Sequence, residues 1–181
     1  LHDNPDLAVE QRSEFLGIIA RENERLTRLI QGLLDLAKLE AEGMFEGSAT
    51  VHLGEVVREA AASMGQLAST RGARLELDLA ADLPHVAGDG DRLTQVVINL
   101  LSNGLRHAAS DSGRVRVSLE ARDGNVRLTV ADNGPGIPDG FREAVFERFR
   151  QLPRGSADRR QGAGLGLAIS RKIVEQHGGR I

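Results

Sequence analysis

"RVRVSLEARDGNVRLTVAD", residues Arg114–Asp132, decides the fold. Val115, Val117, Leu119 and Ala121 alternate with Arg114, Arg116, Ser118 and Glu120, and Val126, Leu128 and Val130 alternate again in the second half. A period of two sends the apolar set to one face of a strand and the polar set to the other. "RDGN" between the runs has the chemistry of a tight hairpin turn. The sheet therefore has one wet face and one covered face. A doubly wound parallel sheet would be apolar on both, so the pattern predicts an antiparallel or mixed sheet with helices on one side, an α/β fold of the α+β kind.

The flanking segments supply the covering helices. "GDRLTQVVINLLSNGLRHAA" reads as a strong helix starting near Asp89 or Asp91, and "RLELDLA" alternates Leu75, Leu77 and Leu79 as a strand with one buried face. A short extended piece at Val51–Leu53 precedes a helix from Glu55 to about Thr70, with Val56, Val57, Ala60, Met64 and Leu67 on its apolar side. Downstream, "FREAVFERF" predicts a short amphipathic helix and "RQLPRGSADRRQ" a polar loop of the length that usually carries function. A last helix runs from about Leu165 to Gln176 and closes at Gly178-Gly179; Arg180 and Ile181 read as the start of a further strand.

From Val9 to Glu42 the chain reads as one long helix, capped by Asn4 or Asp6 and ended by Gly43. Phe15, Ile19, Leu26, Leu29, Leu33 and Leu36 form its stripe. At about 1.5 to 3 kcal/mol per buried side chain, that stripe is too apolar to leave in water. It packs either on its own domain or with other helices in a bundle, and the second arrangement predicts a homodimer. "GMFEGSAT", Gly43–Thr50, is a composition break that reads as a linker.

Bulk numbers exclude several classes. The net charge of −3 argues against nucleic acid, as do only five Phe with no Trp or Tyr to stack on bases. There is no cysteine, hence no disulfide or thiolate metal site. No run approaches the roughly 20 apolar residues that cross a bilayer, so membrane attachment is expected only through segments outside this sequence, and the domain is expected in the cytoplasm.

Three features carry chemistry. Asn99 and Asn103 lie four apart, on one face of a helix whose other side is filled by Val96, Val97, Leu100, Leu101 and Leu105. Either they face solvent, or an amide oxygen serves a hard cation such as Mg²⁺ beside phosphate; Arg106 and His107 follow one turn on. In "ADNGPGIP", Asp132 ends an apolar strand before a rigid turn. It either caps its own backbone or accepts a hydrogen bond from an amine such as that of adenine. In "QGAGLGLAIS", Gln161–Ser170, three alternate glycines open a helix. No strand precedes them and no lysine follows, so they are neither a dinucleotide fingerprint nor a P-loop. They make a phosphate seat at a helix start, or a packing or hinge point.

The order of these segments resembles the catalytic, ATP-binding domain of bacterial sensor histidine kinases. "NLLSNGLRHA" resembles the N box, "DNGPGI" the first glycine box, "FERF" the F box and "GAGLGLAIS" the second glycine box; "ENERLTRLIQGLLDLAKLEAEG" is similar to the second helix of the dimerisation domain. The resemblance implies a two-layer sandwich of a mixed sheet covered by helices on one face, after a long bundle-forming helix. It divides the chain into a partial dimerisation region, 1–44, a linker, 45–50, and a catalytic ATP-binding domain, 51–181, without its C-terminal strands. Asp132 would bind the adenine amine, and Asn103, assisted by Asn99, would ligate Mg²⁺. Arg106 and His107 would lie near the phosphates, and Gly134, Gly136 and Ile137 would line the adenine end. Gly162, Gly164, Leu165, Gly166 and Leu167 would hold the phosphates, under a lid (152–161) anchored by Phe146 and Phe149.

That family phosphorylates a histidine set in a stretch like Ser-His-Glu-Leu-Arg-Thr-Pro, and no such stretch occurs here. The expected activity is thus transfer of the ATP γ-phosphoryl group to a histidine on a first dimerisation helix outside the sequence, for relay to an aspartate of a response-regulator receiver domain. Gln151 stands where many relatives have Arg, which leaves the lid contact to Arg150, Arg154, Arg159 or Arg160. The alternatives are an ATPase of the same superfamily that drives conformational change, and a vestigial dimerisation module.

Overall fold

The computed structural model describes residues 9–47, 49–110, 112–151 and 163–181. The elements are α1 (Val9–Ala41), β1 (Thr50–Val51), α2 (Leu53–Thr70), β2 (Arg74–Leu79), β3 (Val86–Ala87), α3 (Gly90–His107), β4 (Arg114–Arg122), β5 (Asn125–Asp132) and α4 (Gly166–Gln176). Two 3-10 turns, Asp139–Phe141 and Ala144–Phe146, stand where "FREAVFERF" predicted an amphipathic helix. Asn4 and Asp6 lie outside the described residues.

The main sheet has the order β2-β4-β5, with β2 parallel to β4 and β4 antiparallel to β5. It is mixed, as predicted. A two-residue turn at Asp123 and Gly124, with φ of 51° and 74°, joins β4 to β5, the positive-φ pair a type I′ hairpin requires. Val115, Val117 and Leu119 are fully buried against Val56, Val57 and Ala60 of α2 and Val97, Leu101 and Leu105 of α3. The outward set carries ion pairs instead, with Glu76 set 3.6 Å from Arg114 and 3.3 Å from Arg116. Leu77 departs from the expectation for β2: it is 43% exposed, because this strand is an edge and no described helix covers it there.

Asp89 caps α3, its side chain accepting from the N–H groups of Asp91 at 2.9 Å and Arg92 at 3.1 Å. Replacing Asp89 with Ala should cost about 1 kcal/mol. A melting temperature unchanged in Asp89→Ala would refute that assignment.

The α1 stripe divides in two. Leu36 and Leu39 are buried with Val96, Leu165, Ile169 and Ile173, seating the end of α1 on α3 and α4. Phe15, Ile19, Leu26 and Leu33 are about half exposed. The end of α1 is capped from another element. Gln176 of α4 donates its side-chain Nε2 to the carbonyls of Leu39, Glu42 and Gly43 at 2.8, 2.9 and 3.0 Å. These are carbonyls of the helix end and just beyond it, which lack donors within the helix. The next segment is pinned as well: Phe45 N–H donates to the Gln176 carbonyl, and its ring stacks on His177 at 5.2 Å. His177 Nε2 accepts from Asp89 N–H at 3.0 Å, so Nδ1 carries the proton and donates to the Ile173 carbonyl.

Candidate functional site

The three sequence features meet along α3. At its middle, Asn99 Nδ2 donates to the Gly166 carbonyl at 3.3 Å and the Ser170 hydroxyl at 3.4 Å, which ties α3 to the start of α4. At its end, the His107 carbonyl abuts Gly134: a Cβ at Gly134 would lie 2.0 Å from that oxygen. Only glycine permits so close an approach. Asn99 and His107 are eight residues apart, about 12 Å of helix, and Asn103 stands midway. Its half-buried amide makes no hydrogen bond among the described residues. Arg106 and His107 are half-buried beside it.

Asp132 continues the inward parity of β5. It pairs with Val115, whose side chain is fully buried under the helices, so both stand on the covered face. Asp132 is nonetheless exposed, because α3 ends there. Its Oδ1 accepts the Gly134 N–H at 2.8 Å. The self-capping reading is therefore correct for one oxygen, and the other has no protein donor among the described residues. Gly136, at φ of 74°, and the 43%-exposed Ile137 follow in the same turn.

At the other end, α4 starts at Gly166 with Leu165 as N-cap and no side-chain cap, leaving amide N–H groups without a partner from the cap. Gly164 has φ of 68°, and a Cβ on it would lie 2.9 Å from the Phe149 carbonyl carbon. Its carbonyl accepts the Phe149 N–H at 2.9 Å. Phe149, itself at φ of 60°, is thus joined to the glycine loop through backbone, and the residue as a whole stays 57% exposed. Phe146 is held differently, under the Arg171 guanidinium at 5.2 Å; Arg171 also pairs with Glu143 at 3.1 Å. Leu165 turns its side chain into the cluster with α1, so only its backbone is left for the glycine loop; Leu167 is half-buried. Gly162 and residues 152–161 lie outside the described residues.

Sequence reasoning passed over Asn133. Its Oδ1 accepts from Ala109 N–H at 3.3 Å and Arg114 N–H at 2.9 Å, and its Nδ2 donates to the Ser112 carbonyl at 2.8 Å. A cavity of about 300 Å³ beside the α1 end, lined by Glu42, Phe45, Arg92 and Gln176 among others, shares no residue with the row formed by Asn99, Asn103 and His107.

The fold and this layout define a class: an α+β sandwich with polar groups ranked along one helix, from an uncapped helix start to a carboxylate-bearing turn. Residues 88–181 match the histidine kinase-, DNA gyrase B- and HSP90-like ATPase family, and the chain belongs to it. Signal transduction histidine-protein kinase BaeS of Escherichia coli (strain K12) is 38% identical over 169 residues, 93% of this chain and 36% of that protein. The crystal structure of full-length ShkA in complex with AMPPNP superposes with a TM-score of 0.74 at 31% identity, covering 97% of this chain and 36% of that one. Histidine kinase ThkA in complex with response regulator protein TrrA gives a TM-score of 0.72 at 23% identity, covering 96% of this chain and 47% of that one, a likeness of fold alone. The chain spans between 12% and 45% of the length of curated histidine kinases of this kind.

Proposed function

We propose that the chain is the ATP-binding catalytic core of a sensor histidine kinase, with ATP lying along α3. One observation carries the reading: α3 touches the glycine loop through Asn99 and the Asp132 turn through His107, with Asn103 between. Asp132 offers its second carboxylate oxygen to the adenine amine. The N–H groups at Gly164 and Gly166 take phosphate oxygens, aided by the positive end of α4. Arg106 and His107 stand on the last turn of α3, at the Asp132 end of the row, so His107 is assigned to the adenine side and Arg106 alone supplies charge toward the phosphates.

Mg²⁺ fits the Asn103 amide, a half-buried neutral oxygen with no protein donor among the described residues. Asn99 supports it, its Nδ2 engaged with α4 and its Oδ1 left over. When bound, the ion offsets phosphate charge. The residues of the chain hold and orient the nucleotide, and the γ-phosphoryl group passes to the ring nitrogen of a histidine on a first dimerisation helix, with ADP as leaving group. The acceptor lies outside this sequence, whose histidines lack the expected motif. Relay to an aspartate of a response-regulator receiver domain follows.

Residues 1–44 act as part of the dimerisation region, 45–50 as linker and 51–181 as catalytic domain. The half-exposed Phe15, Ile19, Leu26 and Leu33 form the homodimer face. Among the described residues no helix is long and apolar enough to cross a membrane. We place the domain on the cytoplasmic side, where ATP is available.

Calorimetric titration tests the nucleotide reading. The unmodified chain should bind Mg·ATP, and Asp132→Ala, with its circular dichroism retained, should bind roughly ten- to a hundredfold more weakly for loss of a charge-assisted hydrogen bond. No binding to the unmodified chain would end it. A longer polypeptide with the upstream helix should acquire acid-labile phosphate on histidine from γ-labelled ATP. Rapid release of free phosphate without labelling would point to the conformational ATPase instead.

A further inference from the structure

We infer that Asn133 is the positioning residue that aims Asp132, and so sets how strictly the site tells an amino-bearing purine from one carrying a carbonyl. The inference rests on the nucleotide reading above. Asp132 and Asn133 are neighbours with opposite duties. Asp132 stands on the covered face with one oxygen fixed by Gly134 N–H. Asn133 uses both ends of its amide on the backbone leading from α3 into β4, accepting from Ala109 and Arg114 N–H and donating to the Ser112 carbonyl. Its own N–H donates to the Arg114 carbonyl at 3.2 Å.

Arg114 begins β4, and Ala109 follows the end of α3. One side chain thus fixes the Asp132 turn against both the strand beside it and the segment leaving the helix whose Asn103 stands further along the row. The contact at Gly134 sets how near that turn lies to His107. It does not set the turn's rotation, because a single close approach leaves the turn, with the carboxylate tied to it through Gly134 N–H, free to swing about that point. Hydrogen bonds from Asn133 to three separate backbone groups remove that freedom. A site built to accept an amine discriminates only while its acceptor is held in place, since a carboxylate that swings can take water in exchange.

The test compares Mg·ATP with Mg·ITP, in which a carbonyl replaces the amine, by calorimetry on the whole chain. The unmodified chain should favour ATP, and Asn133→Ala should cut that preference about fivefold or more, mainly by weakening ATP. Asn133→Asp keeps the acceptor and loses the donor to Ser112, and should fall between them. It also serves if Asn133→Ala does not fold. A purely structural role would weaken both nucleotides alike, and an unchanged ATP-to-ITP ratio in either folded variant would overturn the proposal while leaving the nucleotide reading intact. An unmodified chain that binds ATP without preferring it to ITP would overturn both the role of Asp132 and the positioning role of Asn133.

Discussion

Gly134→Ala should abolish nucleotide binding and lower stability by about 2 to 4 kcal/mol. The added Cβ would meet the His107 carbonyl oxygen at 2.0 Å and Asp132 Oδ1 at 2.7 Å. Neither can yield cheaply. The first is backbone at the end of α3, and the second is the oxygen that caps this turn. Relief requires the turn to leave α3 by more than an ångström, which takes Asp132 away from Asn103 and Asn99. Loss of affinity should exceed a hundredfold, because displacing the turn forfeits the adenine contact and misaligns the groups that hold the phosphates. Thermal melting with Mg·ATP titration checks both parts. An alanine variant that binds normally would mean the close approach has no bearing on the site.

Leu39→Asp should unseat α1. Leu39 is 1% exposed, in the cluster with Leu36, Leu165, Ile169 and Ile173. Removing its side chain alone costs about 2 to 5 kcal/mol. A carboxylate in its place has no described cation within that cluster, and an unpaired buried charge is worse than a cavity. The helix end will leave the surface rather than bury it. Hydrogen exchange should then lose protection from about Leu29 to Glu42, while β4 and β5, in the other cluster, keep theirs. Protection retained at the α1 end would show that this seat contributes little.

The one-sided sheet was legible because a period of two leaves a direct trace, and so was the Asp123–Gly124 turn, whose residue types match its positive φ values. The start of α3 was legible as near Asp89 or Asp91, and Asp89 is its cap. Asn99 and Asn103 stood out because amides are poor residues inside an apolar-faced helix. What failed to show has a common cause. The exposure of Leu77 depends on which strand is an edge, and alternation is blind to that. "FREAVFERF" has helical spacing, yet Arg171 of α4, lying over Phe146, and the left-handed backbone of Phe149 at the segment's own end shape it otherwise. Asn133 and Gln176 act on distant main chain, which leaves no periodic signal. The α1 stripe could not say that Leu36 is covered by α4 and Leu33 is not.

The Gln176 amide gives the long helix a terminus that is not its own. Turning α1 about its axis by one residue, about 100°, would carry the Leu39, Glu42 and Gly43 acceptors off that amide together and pull the Phe45 ring from its imidazole neighbour. The junction therefore behaves as a keyed joint rather than a swivel. A torsion arriving along the rod is either borne by the nucleotide layer as a whole or breaks the key outright.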